Sequence, residues 1–159
     1  MKNRARIAGH PIHPMLITIP IAAFVLSLVG DLLFLGTGVP FWYAAAFWLI
    51  IAGIIGGLAA AVPGVIDYVT SVPPAARRTA RTHGLMNVAI VVLYAVNAYL
   101  RATQVLDGAM VGWTVALSVL GVAGLMVSGW LGGTLVYQHR IGVDEPAPES
   151  RPEEERRAA

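Results

Sequence analysis

The side chains best suited to chemistry in this sequence are four histidines and one aspartate: His10, His13, His83, His139 and Asp67. Neutral imidazole offers a ring lone pair, which makes histidine the commonest metal ligand. Imidazole and carboxylate together suit iron, zinc, copper or manganese. The chain has no cysteine, so thiolate metal sites, iron–sulfur ligation, disulfides and cysteine nucleophiles are excluded. His10-Pro11-Ile12-His13-Pro14 is the densest of these groupings. If that turn is helical, its i, i+3 spacing puts both rings on one face. Either proline could open the helix, since proline is well tolerated there. In the plain alternative, the prolines only fix how the chain enters the helix, and the histidines face water or lipid headgroups.

These residues must be held by elements that the composition already restricts. The chain has 159 residues, 57% of them hydrophobic and 13% charged, with a mean hydropathy of +0.69. Soluble domains carry about 25% charged residues, so a water-soluble globule is improbable. Four apolar stretches stand out, at about 14–35, 41–69, 84–100 and 111–137. Each is at or above the ~17–25 residues that cross the hydrocarbon core as a helix. Because hydrocarbon supplies no hydrogen bonds to the backbone, helices are the expected spanning form. The short links favour an antiparallel arrangement. The expected fold is therefore an all-α, four-helix transmembrane bundle running up-down-up-down, in one domain over 1–141. Pro63-Gly64 predicts a kink or break in the second span. The polar, Pro-containing residues 142–159 have the composition of a disordered tail. The first span is too long for a signal-peptide core and is read as retained.

Basic residues set the expected orientation. Lys2, Arg4, Arg6, Arg77, Arg78, Arg81 and Arg140 fall on one side of such a bundle, and only Arg101 falls on the other. Positive residues stay cytoplasmic, so both termini are expected inside a bacterial inner membrane. All four histidines and Asp67 fall on that same side. In an up-down bundle, spans one and three are diagonal, so His13 and His83 could approach a haem from opposite faces. Haem accepts two axial protein ligands, and Arg78 or Arg81 could meet its propionates. The candidate cofactor is haem b or a transition-metal ion. His13 and His83 are the haem ligands in this reading, and His10, His13, Asp67, His83 and His139 are the metal candidates.

The third span carries a polar stripe of His83, Asn87, Tyr94, Asn97 and Arg101, with successive spacings of 4, 7, 3 and 4. At ~100° per residue these fall within about 40° of one line. Polar groups in lipid are expensive and usually face the bundle interior. On the first span, His13, Phe24, Ser27 and Asp31 form a matching face. His13 to Asp31 and His83 to Arg101 are both 18 residues, and Phe24 and Tyr94 are offset by 70. Gly64-Val-Ile-Asp-Tyr68 echoes Gly133-Thr-Leu-Val-Tyr137 at an offset of 69. The pattern suggests two repeated helical hairpins around an axis along the membrane normal. Asp31 and Arg101 would then pair on inward faces. The glycines on spans two and four fit close helix approach, or room for a flat macrocycle.

No phosphate-binding loop, nucleophile elbow or His-Glu-x-x-His motif is present. The Arg77–Arg81 loop reads as an anionic-lipid contact rather than a nucleic-acid site. The leading expectation is a redox or electron-transfer protein of the lipid bilayer, acting with a redox partner protein or as a homo-oligomer. The alternatives are a non-catalytic assembly subunit of a membrane complex, or a small transporter that uses the polar stripe.

Several of these motifs occur together in a known family. Gly9-His10-Pro11-Ile12-His13-Pro14, Asp31-Leu32, Phe41-Trp42, Val62-Pro63-Gly64-Val65-Ile66-Asp67-Tyr68, His83-Gly84-Leu85-Met86-Asn87 and Ser128-Gly129-Trp130-Leu131-Gly132-Gly133 resemble the bacterial domain-of-unknown-function family 2231. The likeness covers about residues 8–143. It implies a four-helix inner-membrane protein. Some relatives are fused to a Rieske-type domain, which implies redox company without assigning an activity.

Overall fold

The computed structural model describes residues 5–103 and 108–143. The chain starts with two short paired strands, β1 (Arg6–Ile7) and β2 (His10–Pro11). Ala8 and Gly9 between them both have positive φ, 48° and 82°. Two such residues make the tight primed turn whose twist suits a hairpin. Helix α1 (Ile12–Leu16) follows directly, then α2 (Thr18–Thr37), α3 (Pro40–Ser71), α4 (Arg77–Thr103) and α5 (Gly108–Tyr137). A single 3₁₀ turn, Pro74–Ala76, leads into α4.

The ends follow from local chemistry. Gly38 takes the left-handed conformation (φ 68°), and its N–H returns to the Phe34 carbonyl at 2.8 Å. Pro40 then opens α3 at a position that needs no backbone donor. Val72 is extended and precedes Pro73-Pro74, which stops α3. Beyond α5, Arg140 at φ 52° reverses the chain. The N–H of Ile141 bonds to the Leu135 carbonyl at 3.0 Å, and its side chain packs on Val72, Ala76 and Ala80.

Proline acts where the sequence did not point. Helix α3 runs unbroken through Pro63, so the expected break there is absent. The interruption falls in the first span, at Ile17 between α1 and α2. Pro20 lies three residues later. It offers no N–H to Leu16, and its ring crowds that carbonyl. Helix α4 also starts earlier than its apolar stretch, because Arg77–Thr82 can be helical without being apolar. The tail expected over 142–159 lies outside the described residues beyond Val143.

The four helical rods (α1 with α2, α3, α4, α5) are each long and apolar enough to cross a membrane. Each packs against its chain neighbours, and α2 closes the ring against α5. Thus α2 and α4 are diagonal. Phe24, Ile50, Ile90, Tyr94 and Ala98 form the core between them. Large apolar side chains such as Trp48, Ile55, Leu58, Val88 and Trp130 point outward. In water such a surface would be unfavourable, and in lipid it is matched.

The two halves repeat. Phe24 and Tyr94 meet on the central axis. A Cβ on Gly53 would collide with the Phe24 ring, and one on Gly121 would collide with the Tyr94 ring in the same way. The first helices of the hairpins are thus related by 70 residues and the second helices by 68. The suggested echo between Gly64 and Gly133 is one residue out of register: the partner of Gly64 is Gly132.

Candidate functional site

His13 sits on α1 and His83 on the second turn of α4, at the same end of the bundle. Proline at position 14 is harmless because it lies in the first turn of its helix. The His13 and His83 rings meet edge to face, 6.3 Å between centroids and 89° between planes. His13 Nδ1 bonds to the Ala60 carbonyl of α3 at 2.8 Å. His83 Nδ1 bonds to the Ser128 carbonyl of α5 at 2.9 Å. A carbonyl only accepts, so each Nδ1 carries a proton, and the lone pair of a neutral ring is then on Nε2. Each second helix stays close because it presents glycine. A Cβ on Gly64 would come within 2.9 Å of His13 Nδ1, and one on Gly132 within 3.3 Å of His83 Cε1.

The two imidazoles differ in what surrounds them. The Asn87 amide donates to His83 Nε2 at 3.1 Å and to the His83 carbonyl at 2.9 Å. Ser128 Oγ donates to Asn87 Oδ1 at 3.0 Å and lies 3.1 Å from His83 Nδ1. Among the described residues no hydrogen bond reaches His13 Nε2. The positions related to Asn87 and Ser128 by the repeat are Ile17 and Ala60, which have no side-chain polar groups to offer.

The remaining candidates do not join this pair. His10 lies on β2, exposed, with Nδ1 donating to the Ala8 carbonyl at 3.0 Å. It is therefore not on a helical face with His13: the turn before Ile12 is extended. Asp67 is buried in α3 and accepts from the Ala5 N–H at 3.4 Å, where the strand hairpin folds over the bundle end. His139 lies past α5, half-buried. Arg78 and Arg81 are exposed on the first turns of α4. No group of three or more histidine or acidic side chains among the described residues could hold a metal ion. The expected cluster is a pair.

The opposite end is also polar inside. The Arg101 guanidinium clasps Asp31 through Nη2, at 2.8 and 2.7 Å to the two carboxylate oxygens, with both side chains almost wholly buried. Ser118 Oγ donates to Asp31 at 2.7 Å, and Arg101 Nε donates to Asn97 Oδ1 at 2.9 Å. Asn97 Nδ2 bonds to the Thr114 carbonyl and to Ser118 Oγ, each at 3.0 Å. The guanidinium lies 4.4 Å over the Tyr43 ring, a favourable cation–π position. The polar stripe of α4 therefore turns inward as its spacing predicts. Eighteen residues of unbroken helix separate His83 from Arg101, about 27 Å. The two polar layers lie roughly one hydrocarbon thickness apart.

A family model of predicted membrane proteins, DUF2231, matches residues 9–145. The chain belongs to this family. No curated protein and no solved structure matches it. The region matching DUF2231 contains both hairpins, both histidines of the pair and the Asp31–Arg101 bridge. Family membership makes this a membrane protein and names no ligand. Ser128 and Ala60 were not singled out among the site residues from the sequence. Ser128 could have been found as the polar residue between Gly124 and Gly129 of span four, whereas Ala60 acts through its backbone and leaves no side-chain signal.

Proposed function

We propose that this DUF2231 protein binds haem b between His13 and His83 and carries electrons at a bacterial inner membrane. One observation carries the reading. Two imidazoles from diagonal helices meet on the bundle axis, each with Nδ1 tied to a backbone carbonyl. Such an outer hydrogen bond fixes the tautomer and raises the basicity of the other nitrogen, the usual support for a metal-ligating histidine. The donor set is two neutral nitrogens without thiolate, which suits axial ligation of a porphyrin better than a four-ligand structural ion. Bound haem would supply a one-electron carrier. The protein would hold it by His13 and His83.

The placing of the termini in the cytoplasm rests on charge. Arg77, Arg78, Arg81 and Arg140 are exposed at the histidine end, while Arg101 at the other end is spent on Asp31. Basic residues favour the cytoplasmic face. The transport reading draws less support, since Asn97 is bonded to the Thr114 carbonyl and Ser118 Oγ, and Arg101 is held by Asn97 and Asp31.

The test is to express the full chain with haem supply, purify it, and record oxidised and reduced spectra with elemental analysis. A Soret band that is lost in His13→Ala supports the proposal. No Soret band, together with sub-stoichiometric metal, overturns it and leaves the assembly-subunit reading.

A further inference from the structure

The described residues carry two acidic side chains, Asp31 and Asp67, and both are buried. Their exposed charge is therefore basic, and much of it gathers at one place. Arg77, Arg78 and Arg81 are exposed on the first two turns of α4. Arg140 is brought to the same place from the far end of the chain. The reversal at Arg140 turns Ile141 back onto Val72, Ala76 and Ala80. Ala76 and Ala80 flank Arg77 and Arg81 in sequence, so Arg140, also exposed, is anchored beside the start of α4. No exposed carboxylate among the described residues is available to these four guanidinium groups.

The same face of α4 changes character along its length. Arg78, Arg81, Leu85, Val88 and Val92 follow at spacings of 3, 4, 3 and 4, which keeps them on one side of a helix. All five are exposed, the three apolar ones by 64%, 61% and 56%. Arg81 to Val92 is eleven residues, about 16 Å of helix, or roughly one leaflet of the ~30 Å hydrocarbon core. Tyr137, 85% exposed, stands at the end of α5 next to this track's basic head. A soluble phosphate or a nucleic acid would use the arginines and leave the apolar track unmatched. A phospholipid matches both.

We infer that this surface is a binding site for an anionic phospholipid of the leaflet at the histidine end. The phosphate is held by Arg77, Arg78, Arg81 and Arg140, and an acyl chain lies along Leu85, Val88 and Val92. Guanidinium groups bind phosphate oxygens through paired, charge-assisted hydrogen bonds. Basic clusters at the end of a membrane helix attract anionic lipid in the same way. The site is built from both hairpins, and a bound headgroup ties the end of α5 to the start of α4. It does not depend on what His13 and His83 bind.

The test uses the full chain in a neutral detergent, titrated with phosphatidylglycerol or with phosphatidylcholine, with bound lipid counted by native mass spectrometry. The wild type is expected to prefer phosphatidylglycerol by about a hundredfold or more. The preference should fall about fivefold for each arginine removed, so about fivefold in Arg140→Gln and about 25-fold in Arg78→Gln with Arg81→Gln. It should also shrink at high salt, a reading that needs no variant and stands if the double variant fails to fold. Glycerol phosphate, which has the headgroup charge without acyl chains, should bind far more weakly than phosphatidylglycerol.

Equal binding of the two lipids by the wild type overturns the site and leaves the acidic residues beyond Val143 as the other source of counter-charge. A preference unmoved by salt and by both variants overturns it as well. Glycerol phosphate bound as tightly as phosphatidylglycerol overturns the lipid assignment in favour of a soluble phosphate.

Discussion

Phe24 and Tyr94 lie face to face across the bundle axis, their ring centroids 3.8 Å apart and their planes 3° from parallel. They occupy equivalent positions in the two hairpins, 70 residues apart in the chain. The same relation joins His13 to His83 on one side of this stack and Asp31 to Arg101 on the other. Three layers therefore sit on one axis: an imidazole pair, an aromatic pair and an ion pair. Only the positions are symmetric. Each layer except the histidines has diverged into two different residues, and the histidines differ in their surroundings.

The aromatic layer leaves no room in the facing helices. Gly53 and Gly121 lie against the rings, and a Cβ at either would overlap them. Gly121→Val should destabilise the fold by about 1–3 kcal/mol, the usual range for overpacking. Gly112→Val lies on the same helix with open space around it and should leave stability near that of the wild type. Thermal unfolding in detergent, followed by loss of the monodisperse peak, distinguishes the two. Equal midpoints would mean that the rings shift freely.

The ion layer is a buried pair in which each partner compensates the other. Asp31→Ala leaves an unpaired guanidinium and should lower stability by about 3–5 kcal/mol. The double variant Asp31→Leu with Arg101→Leu removes both charges and should recover most of that loss. Comparison of unfolding midpoints for the single and double variants measures the coupling. If the double variant is as unstable as the sum of the singles, the pair is not acting as a unit.

Much of this arrangement was legible because hydropathy and helical spacing are local signals. The four spans, the inward stripe from Tyr94 to Arg101, and the Asp31–Arg101 partnership all follow from residue type at a fixed rise and rotation. The hidden parts depend on backbone and register. Ala60 bonds His13 through its carbonyl, which any residue carries. The offset of α3 against α5 differs by one residue from that of the Gly64–Tyr68 echo, and one residue turns a helix by ~100°. The gathering of four histidines was inferred from depth alone. His10 fell instead on a two-residue strand and His139 beyond a chain reversal, because depth does not specify the direction a side chain takes.

The weaker interhelical bonds should behave differently from the ion pair. Asn97 sits between α4 and α5, bonded to the Thr114 carbonyl and to Ser118 Oγ. Hydrogen bonds between membrane helices are worth about 0.6 kcal/mol on average. Thr114→Val removes one interhelical contact, to the Tyr43 hydroxyl at 3.3 Å, along with a bond within its own helix to the Val111 carbonyl at 3.1 Å, and should cost about that much. Asn97→Leu strips a partner from Arg101 as well and should cost more, about 1–3 kcal/mol, the penalty for leaving a buried polar group unsatisfied. If the two variants lose equal stability, the Asn97–Arg101 contact adds nothing.

The repeat also predicts how the chain can be divided. Each hairpin packs its own two helices together, and the three axial layers join one hairpin to the other. A cut between Val72 and Pro73, where the backbone is extended and α3 has ended, interrupts no helix. Co-expressed fragments 1–72 and 73–159 should therefore insert separately and co-purify as a one-to-one complex, since each contributes one member of every layer. The layers are what should hold them. Introducing Asp31→Lys into the first fragment faces Arg101 with a like charge and should abolish co-purification, while Phe41→Ala, at an exposed position outside every layer, should not. Co-purification that survives Asp31→Lys would show that lipid-facing contacts, rather than the central axis, keep the halves together.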